Sequence, residues 1–303
     1  MKLLEGFQKR IPFLQTSTMM EQINKGFSND NKYVVKMADG KKYLLRTAAI
    51  NEYDRKKSEF DLLADLQNYC IRSPDPIEVG RIEELGLSYY LLTYIEGEDA
   101  RDVLPLFSTQ EQYEIGLAAG KDLAKIHTVR APASIEPWHS RIIKKHQKYV
   151  EAYQTCGVKI QGDDKVVQFI DKNEQSLTKR PNRFQHDDFH VGNIIVENRN
   201  YAGIIDFNRY DWGDPYHDFQ KVGLFSREVS IPFSIGQING YFNEEIPENF
   251  WTLYSIYLGM SIFSAIVWTI KVSPETLNEM IERCYQILED HKNFEIIKPI
   301  WFK

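Results

Sequence analysis

Cysteine is scarce in this chain of 303 residues, and the three present, Cys70, Cys156 and Cys284, form no C-x-x-C pair. An odd number cannot all pair with one another, so a disulfide framework is excluded and a reducing, cytoplasmic compartment is expected. No excess of basic residues is present either. Lys and Arg number 37 against 43 Asp and Glu, a formal net charge of -6, where a nucleic-acid-binding domain would be basic. No nucleic acid partner is therefore expected, and the acidic balance is compatible with a cationic small molecule. The N-terminus, M-K-L-L-E-G-F-Q-K-R, lacks the apolar run and small-residue cleavage site of a secretory signal. One uncharged stretch, Trp251 to Ile270, is long enough to span a bilayer. Its apolar character is diluted by Thr252, Tyr254, Ser255, Tyr257, Ser261, Ser264 and Thr269, so a buried helix is the better reading and no membrane association is expected. Repeats and low-complexity segments are absent too.

What is there has an ordinary globular composition, 43% hydrophobic and 26% charged. The length exceeds one compact core and suits two lobes.

The most informative stretch runs from Phe184 to Phe219. It reads F-Q-H-D-D-F-H-V-G-N-I-I-V and then A-G-I-I-D-F-N-R-Y-D-W-G-D-P-Y-H-D-F. Phosphoryl transfer needs one carboxylate at the acceptor hydroxyl and oxygen ligands for Mg²⁺ at the phosphates. His186, Asp188 and Asn193 fit H-x-D-x-x-x-x-N, in which the Asp leads a tight loop and the Asn faces the metal from its far end. Ile194 to Val196 and Gly203 to Ile205 read as two short β segments. That hairpin is expected to return Asp206 beside Asn193.

Together, H-x-D-x-x-x-x-N, I-I-D-F and W-G-D-P-x-x-D resemble the aminoglycoside phosphotransferase and choline kinase superfamily of small-molecule kinases. The chain is unlike a protein kinase proper, because Asp206-Phe207-Asn208 stands where those have D-F-G and no A-P-E follows. The resemblance implies an α+β, two-lobed protein-kinase-like fold with a small antiparallel-sheet N-lobe and a mainly helical C-lobe. It implies an enzyme that transfers the γ-phosphoryl group of ATP or GTP, with Mg²⁺, to an alcohol group of a small molecule. Asp188 is then the catalytic carboxylate, and Asn193 and Asp206 are the metal ligands. His186 is expected to brace the loop, and Asp214 and Asp218 to act as a helix cap and a loop brace.

Earlier in the chain, Lys2 to Gln22 reads as one or two short helices. Tyr33 to Val35 and Tyr43 to Leu45 flank the hairpin signal Asp39-Gly40. Gly26 to Asn29 is expected to be a phosphate-covering loop, lined by Ser28 and Asn29, although it is not G-x-G-x-x-G. Arg46 stands where kinases keep the strand Lys that holds the α- and β-phosphates, and Arg offers phosphate a bidentate fork. Asn51 to Asn68 reads as a helix that brings Glu59 to Arg46, with Glu52 as the other choice. Ile77 to Arg81 and Ser88 to Tyr94 read as strands leading to a hinge, where the backbone of Thr93 and Ile95 would meet the adenine edge.

The boundary is placed near Gly97, giving a nucleotide-binding lobe over 1–96 and a catalytic and substrate-binding lobe over 97–303. In the second lobe, Ser108-x-x-Glu111 is a capping box opening a long helix that ends at His127, read as a hydrogen-bonded core histidine. Pro137 to Thr178 reads as two helices, and Ser273-Pro274 as the cap and first residue of another. The leading acceptor is an aminoglycoside, its ammonium groups met by acids such as Asp163, Asp164, Glu244, Glu245 and Glu248. A macrolide, choline, homoserine or another metabolite would share the same core, and Trp251, Tyr254, Tyr257 and Trp268 are read as core or as a cationic cage. The different-class alternative is a non-catalytic nucleotide-binding regulatory protein. A monomer or homodimer is expected.

Overall fold

Alternating β-formers on either side of Asp39-Gly40 build the first of two compact units, residues 1–96. The computed structural model describes residues 2–24, 26 and 30–303. This unit holds α1 (Lys2–Gln8), β1 (Ser17–Ile23), β2 (Asn31–Met37), β3 (Lys42–Ala49), α2 (Tyr53–Leu66), β4 (Pro76–Ile82) and β5 (Leu87–Thr93). The strands form one antiparallel sheet in the order β1-β2-β3-β5-β4. Asp39 shapes the β2–β3 turn by accepting from the Lys41 N–H at 3.0 Å, and Gly40 takes the left-handed φ of 89° that the turn demands. Phe7, Ile11, Leu14, Val35, Leu45 and Leu91 make the core of the unit.

The helical reading of residues 2–22 needs correction. Only Lys2–Gln8 is α-helical; Pro12–Thr16 is a 3-10 turn, and Ser17–Ile23 is a strand paired with β2. That strand is mostly exposed and has no apolar alternation. Its conformation comes from the ladder it joins, a long-range partner that local pattern does not carry.

The second unit, residues 97–303, is mainly helical. It contains β6 (Glu98–Asp99), α3 (Ala100–Val103), α4 (Thr109–Ile126), α5 (Trp138–Thr155), α6 (Asp163–Asn173), β7 (Arg183–Gln185), β8 (Ile194–Glu197), β9 (Asn200–Ile204) and β10 (Asp211–Gly213). Then follow α7 (Arg227–Val229), α8 (Ile231–Phe242), α9 (Phe250–Val272) and α10 (Leu277–Asp290). The expected hairpin is β8–β9, and β7 pairs with β10. The capping box at Ser108 and Glu111 forms with both of its reciprocal bonds. Ser273 does not cap: its hydroxyl donates to Glu275 instead, and Pro274–Thr276 is a 3-10 turn ahead of α10.

Helices α4 and α8 approach closely enough that their glycines meet the partner backbone. A Cβ at Gly116 or Gly120 would lie 2.1 Å from the carbonyl oxygen of Phe233 or Gln237, and one at Gly240 would lie 2.1 Å from that of Leu117. This spacing seats His127, at the end of α4, against Tyr241 on α8. Helix α9 is the long apolar segment, with 78% of its most apolar window buried inside the protein. It is a core helix, carrying Tyr254, Ile256, Tyr257, Ile262 and Ile266 into the interior.

Candidate active site

Site residues fall into two groups, one in each unit. In the second unit the loop from His186 to Asn193 is tied down ahead of Asp188. Asp218, fully buried, accepts from the backbone N–H of His186 at 2.8 Å and of Asp187 at 2.7 Å. His127 Nε2–H also bonds to Asp218, at 3.0 Å, while Tyr241 bonds to its Nδ1 at 2.9 Å. His186 donates from Nε2 to the Ile205 carbonyl, and its Nδ1 accepts from the Asp188 N–H. Burial holds the His186 ring below the ordinary histidine range, so it stays neutral and acts as a brace. Asp214 caps the turn that carries Asp218, accepting from the Tyr216 N–H, and it is held by Arg180 and the Tyr257 hydroxyl.

These bonds present Asp188 at the loop's tip. Burial works against its ionisation, yet Lys221 above all, with His190 and Arg209, holds the carboxyl well below the usual carboxylate range. Lys221 Nζ lies 3.2 Å and His190 Nε2 3.4 Å from Oδ1, and Arg209 Nε lies 3.9 Å from Oδ2. The His190 Nδ1 accepts from Gly192 N–H, so the Nε2 atom is the one that carries the proton toward Asp188. Asp187 occupies left-handed backbone with φ 57° and faces His217 at 3.2 Å.

Asn193 donates from Nδ2 to both the backbone carbonyl of Asp188 at 2.9 Å and its Oδ2 at 3.3 Å. That orientation commits the amide nitrogen and leaves Oδ1 as the ligand atom for a hard cation. The Ile205 N–H donates to the Asn193 carbonyl at 2.9 Å, so the β8–β9 hairpin returns Asp206 next to Asn193. Asp206 adopts left-handed backbone, φ 70°, a strained conformation for a non-glycine residue. Asn193 and Asp206 thus fit Mg²⁺, an oxygen-seeking ion.

Asp187, His217 and Asp218 also bring three ligand atoms within 4.8 Å. Hydrogen bonds account for that cluster, since both oxygens of Asp218 already accept from the loop and Asp187 already pairs with His217.

In the first unit Arg46 on β3 is buried, with 3% of its surface exposed. Its guanidinium meets Asp30 at 2.8 Å and Glu59 at 3.9 Å, so Glu59 is a partner and Glu52 is not; Glu52 pairs with Arg55. Three members of this network were not foreseen, Asp30 itself, Lys56 and Tyr90. Lys56 bonds to Asp30 at 2.5 Å and Glu59 at 3.4 Å, and Tyr90 donates to Glu59 at 2.7 Å. The signal available for Lys56 was its place one helical turn before Glu59. Lys221, His190 and Arg209 were overlooked because no motif of phosphoryl transfer requires them at those positions.

Ser28 and Asn29 lie outside the described residues. Thr93 gives its N–H to the Asp75 carbonyl at 2.9 Å and receives the Asp75 N–H on its hydroxyl at 2.8 Å. Ile95 follows just beyond the end of β5.

The family model described as the phosphotransferase enzyme family matches residues 20–250. The chain belongs to that family. No curated protein matches it in sequence. Among solved structures it is similar to an aminoglycoside phosphotransferase APH(4)-Ia in ternary complex with AMP-PNP and hygromycin B, with TM-score 0.72 and 13% identity over 97% of this chain and 99% of that one. The gentamicin-APH(2")-IIa complex gives TM-score 0.66 and 15% identity, over 97% and 98% of the two chains. The GDP complex of an aminoglycoside 2'-phosphotransferase-IIIa gives 0.69 and 13%, over 94% and 97%. At these identities the likeness establishes the fold. It is kinase-like, a small antiparallel N-terminal sheet followed by a helical C-terminal portion.

Proposed function

We propose that this member of the phosphotransferase family moves the γ-phosphoryl group of ATP or GTP to the hydroxyl of a small molecule. The observation that carries this reading is the pairing of Asp188 with Asn193, which commits the Asn193 amide nitrogen to the loop and so supports its amide oxygen as a metal ligand beside an ionised carboxylate. Bound Mg²⁺ would neutralise charge at the transferring phosphates. Asn193 Oδ1 and the Asp206 carboxylate would hold it, and Asp188 accepts the proton as the acceptor oxygen bonds to the γ-phosphorus and the bond to the departing diphosphate breaks.

Arg46 serves the phosphates, with Glu59 orienting it, and Ser28 and Asn29 belong to the covering loop. At the adenine edge Thr93 has its N–H committed to Asp75, so its carbonyl and the backbone of Ile95 are the groups assigned to the base. In this reading 1–96 is the nucleotide-binding lobe and 97–303 the catalytic one, working in the cytoplasm. The intact set of Asp188, Asn193 and Asp206 favours an enzyme over a regulatory relative.

For an aminoglycoside acceptor, support comes from the gentamicin and hygromycin B complexes of similar folds. This chain's own side chains give it less. Asp163 is engaged by the Tyr153 hydroxyl, and the side chains that meet Asp188 in ion pairs are cations rather than acids. Tyr257 is fully buried and bonds to Asp214, which removes it from a cationic cage.

The test is single-turnover transfer from labelled ATP together with calorimetric ATP affinity. Asp188→Asn should keep ATP affinity and slow transfer on the order of 10²- to 10⁴-fold, the worth of a positioned general base. Transfer within a few-fold of the unaltered protein would remove Asp188 from that role.

A further inference from the structure

The charges around Asp188 bear on which acceptor can approach it. Three cationic or proton-bearing heads, Lys221, His190 and Arg209, lie within 4 Å of a single carboxylate. Among the described residues neither Lys221 nor Arg209 pairs with any other acid. Both heads are held by rings rather than left to swing in solvent: Lys221 Nζ sits 5.5 Å from the Phe225 ring centroid, and the Arg209 guanidinium 5.2 Å from that of Trp268 on α9. Lys145 on α5 adds its charge at the neighbouring Asp187. Asp187 pairs with His217 at 3.2 Å and also feels Lys221, so Lys221 is shared between two carboxylates, whereas Arg209 meets Asp188 alone among the described residues.

Two carboxylates, Asp187 and Asp188, thus face three cations, Lys145, Lys221 and Arg209, and the Arg209 fork, 39% exposed and 3.9 Å from Asp188, keeps donors to spare beside the loop tip. An acceptor whose hydroxyl meets Asp188 must place its neighbouring substituents beside Arg209 and Lys221. A polycation there meets like charges. An anion there meets a guanidinium fork, whose planar donors match carboxylate and phosphate oxygens.

We infer that the acceptor carries an anionic oxygen group, a carboxylate or phosphate, close to the reacting hydroxyl, and that Arg209 and Lys221 receive it. This rests on the phosphotransferase reading above and names the substrate class of the same site. Arg209 sits only three residues after Asp206, so an alternative use of the same cations is the nucleotide's own γ-phosphate. The two uses separate by which ligand loses affinity when Arg209 is changed.

The experiment uses the full chain with Mg-ATP and four probes: glycerate for the carboxylate class, glucose 6-phosphate for the phosphate class, glucose as the neutral control and kanamycin as the polycation. Thermal shift reads binding and labelled-phosphate transfer reads turnover. At least one anionic probe should raise the melting temperature more than glucose or kanamycin, and the better of the two identifies the anionic group. Arg209→Gln should weaken that probe on the order of tenfold to a hundredfold, the worth of a charged hydrogen bond, while ATP affinity stays within about twofold. Arg209→Glu should turn the preference toward kanamycin.

Binding or transfer that favours kanamycin over both anions in the unaltered protein overturns the inference while leaving the phosphotransferase reading in place. So does Arg209→Gln weakening ATP rather than the anionic probe, or the absence of any shift with either anion. A protein that neither binds Mg-ATP nor transfers to any probe fails the phosphotransferase reading itself, and the inference falls with it. Arg209 is more than a third exposed, so its substitution is compatible with folding, and a Lys221→Gln variant read in the same way gives an independent check.

Discussion

Arg46 and Asp30 are joined twice inside the first unit, Nε at 3.1 Å and Nη2 at 2.8 Å from the same carboxylate oxygen. Burial raises the cost of ionising Asp30, but Arg46 and Lys56 overcome it and hold its carboxyl below the ordinary range. The cation assigned to phosphate therefore already has an anionic companion. Among the described residues, Lys56 and Glu59 join them in a buried set of two cations and two anions, with Tyr90 packed against both cations.

Arg46→Met removes from Asp30 and Glu59 one of the two cations that meet them among the described residues, so the variant should lose about 3 to 5 kcal/mol of stability, the usual consequence of removing one partner from a buried ion pair. Chemical denaturation measures it. In the folded fraction the Michaelis constant for ATP should rise more than that for the acceptor. A variant as stable as the parent, with unchanged ATP dependence, would mean that Arg46 is neither structural nor phosphate-facing.

On the proposed reading Asp206→Ala should abolish Mg²⁺-dependent transfer in a protein that remains folded, because it would delete a carboxylate that holds the metal at the phosphates. Melting with and without Mg-ATP is the check. Retention of the parent's nucleotide-induced shift and turnover would move the ligand elsewhere.

Gly120→Ala should destabilise the second unit by about 1 to 3 kcal/mol, as overpacking of a tight interior does. The added Cβ would meet the Gln237 carbonyl at 2.1 Å, and backbone cannot yield as a flexible side chain does. The same displacement moves His127 against Tyr241 and Asp218, so turnover should fall along with the melting temperature. An unchanged melting temperature would show that α4 and α8 have room to separate.

His291, fully buried and stacked 5.2 Å from Phe294, is pushed by burial down to about 4. Folded protein keeps it neutral, while the unfolded chain protonates it below its ordinary value of about 6.5. Stability is therefore lost as pH falls from about 6.5 toward 4, by about 3 kcal/mol at most from this residue. His186 and His146, also held down by burial, act in the same sense, and Asp290, pushed up by burial, acts against them. His291→Phe isolates the share of His291. Denaturation midpoints of the variant should fall less between pH 7 and pH 4.5 than those of the parent, and equal slopes would assign the loss to other groups.

Local pattern was sufficient for the elements whose partners lie nearby in sequence. The Asp39-Gly40 hairpin, the Ser108 capping box and the β8–β9 hairpin are all closed by residues within a few positions of each other, so spacing and turn chemistry determine them. The same holds for the loop from His186 to Asn193, whose Asp188 and Asn193 lie five residues apart and bond directly. Strand β1 was not legible, because a mostly exposed segment becomes a strand only when β2 supplies a ladder.

The charge environment of the site was likewise settled by tertiary structure. Lys221 is 33 positions from Asp188 in the chain, and Asp30 is 16 from Arg46 and 26 from Lys56. The sequence pattern singled out Asp188 and Arg46 but nothing marked Lys221, Asp30 or Lys56 as their partners. Folding brings them to 2.5 to 3.9 Å from their partners, and where they are buried, as Arg46, Asp30 and Lys56 are, water screens the interaction little and each charge acts on a specific carboxylate.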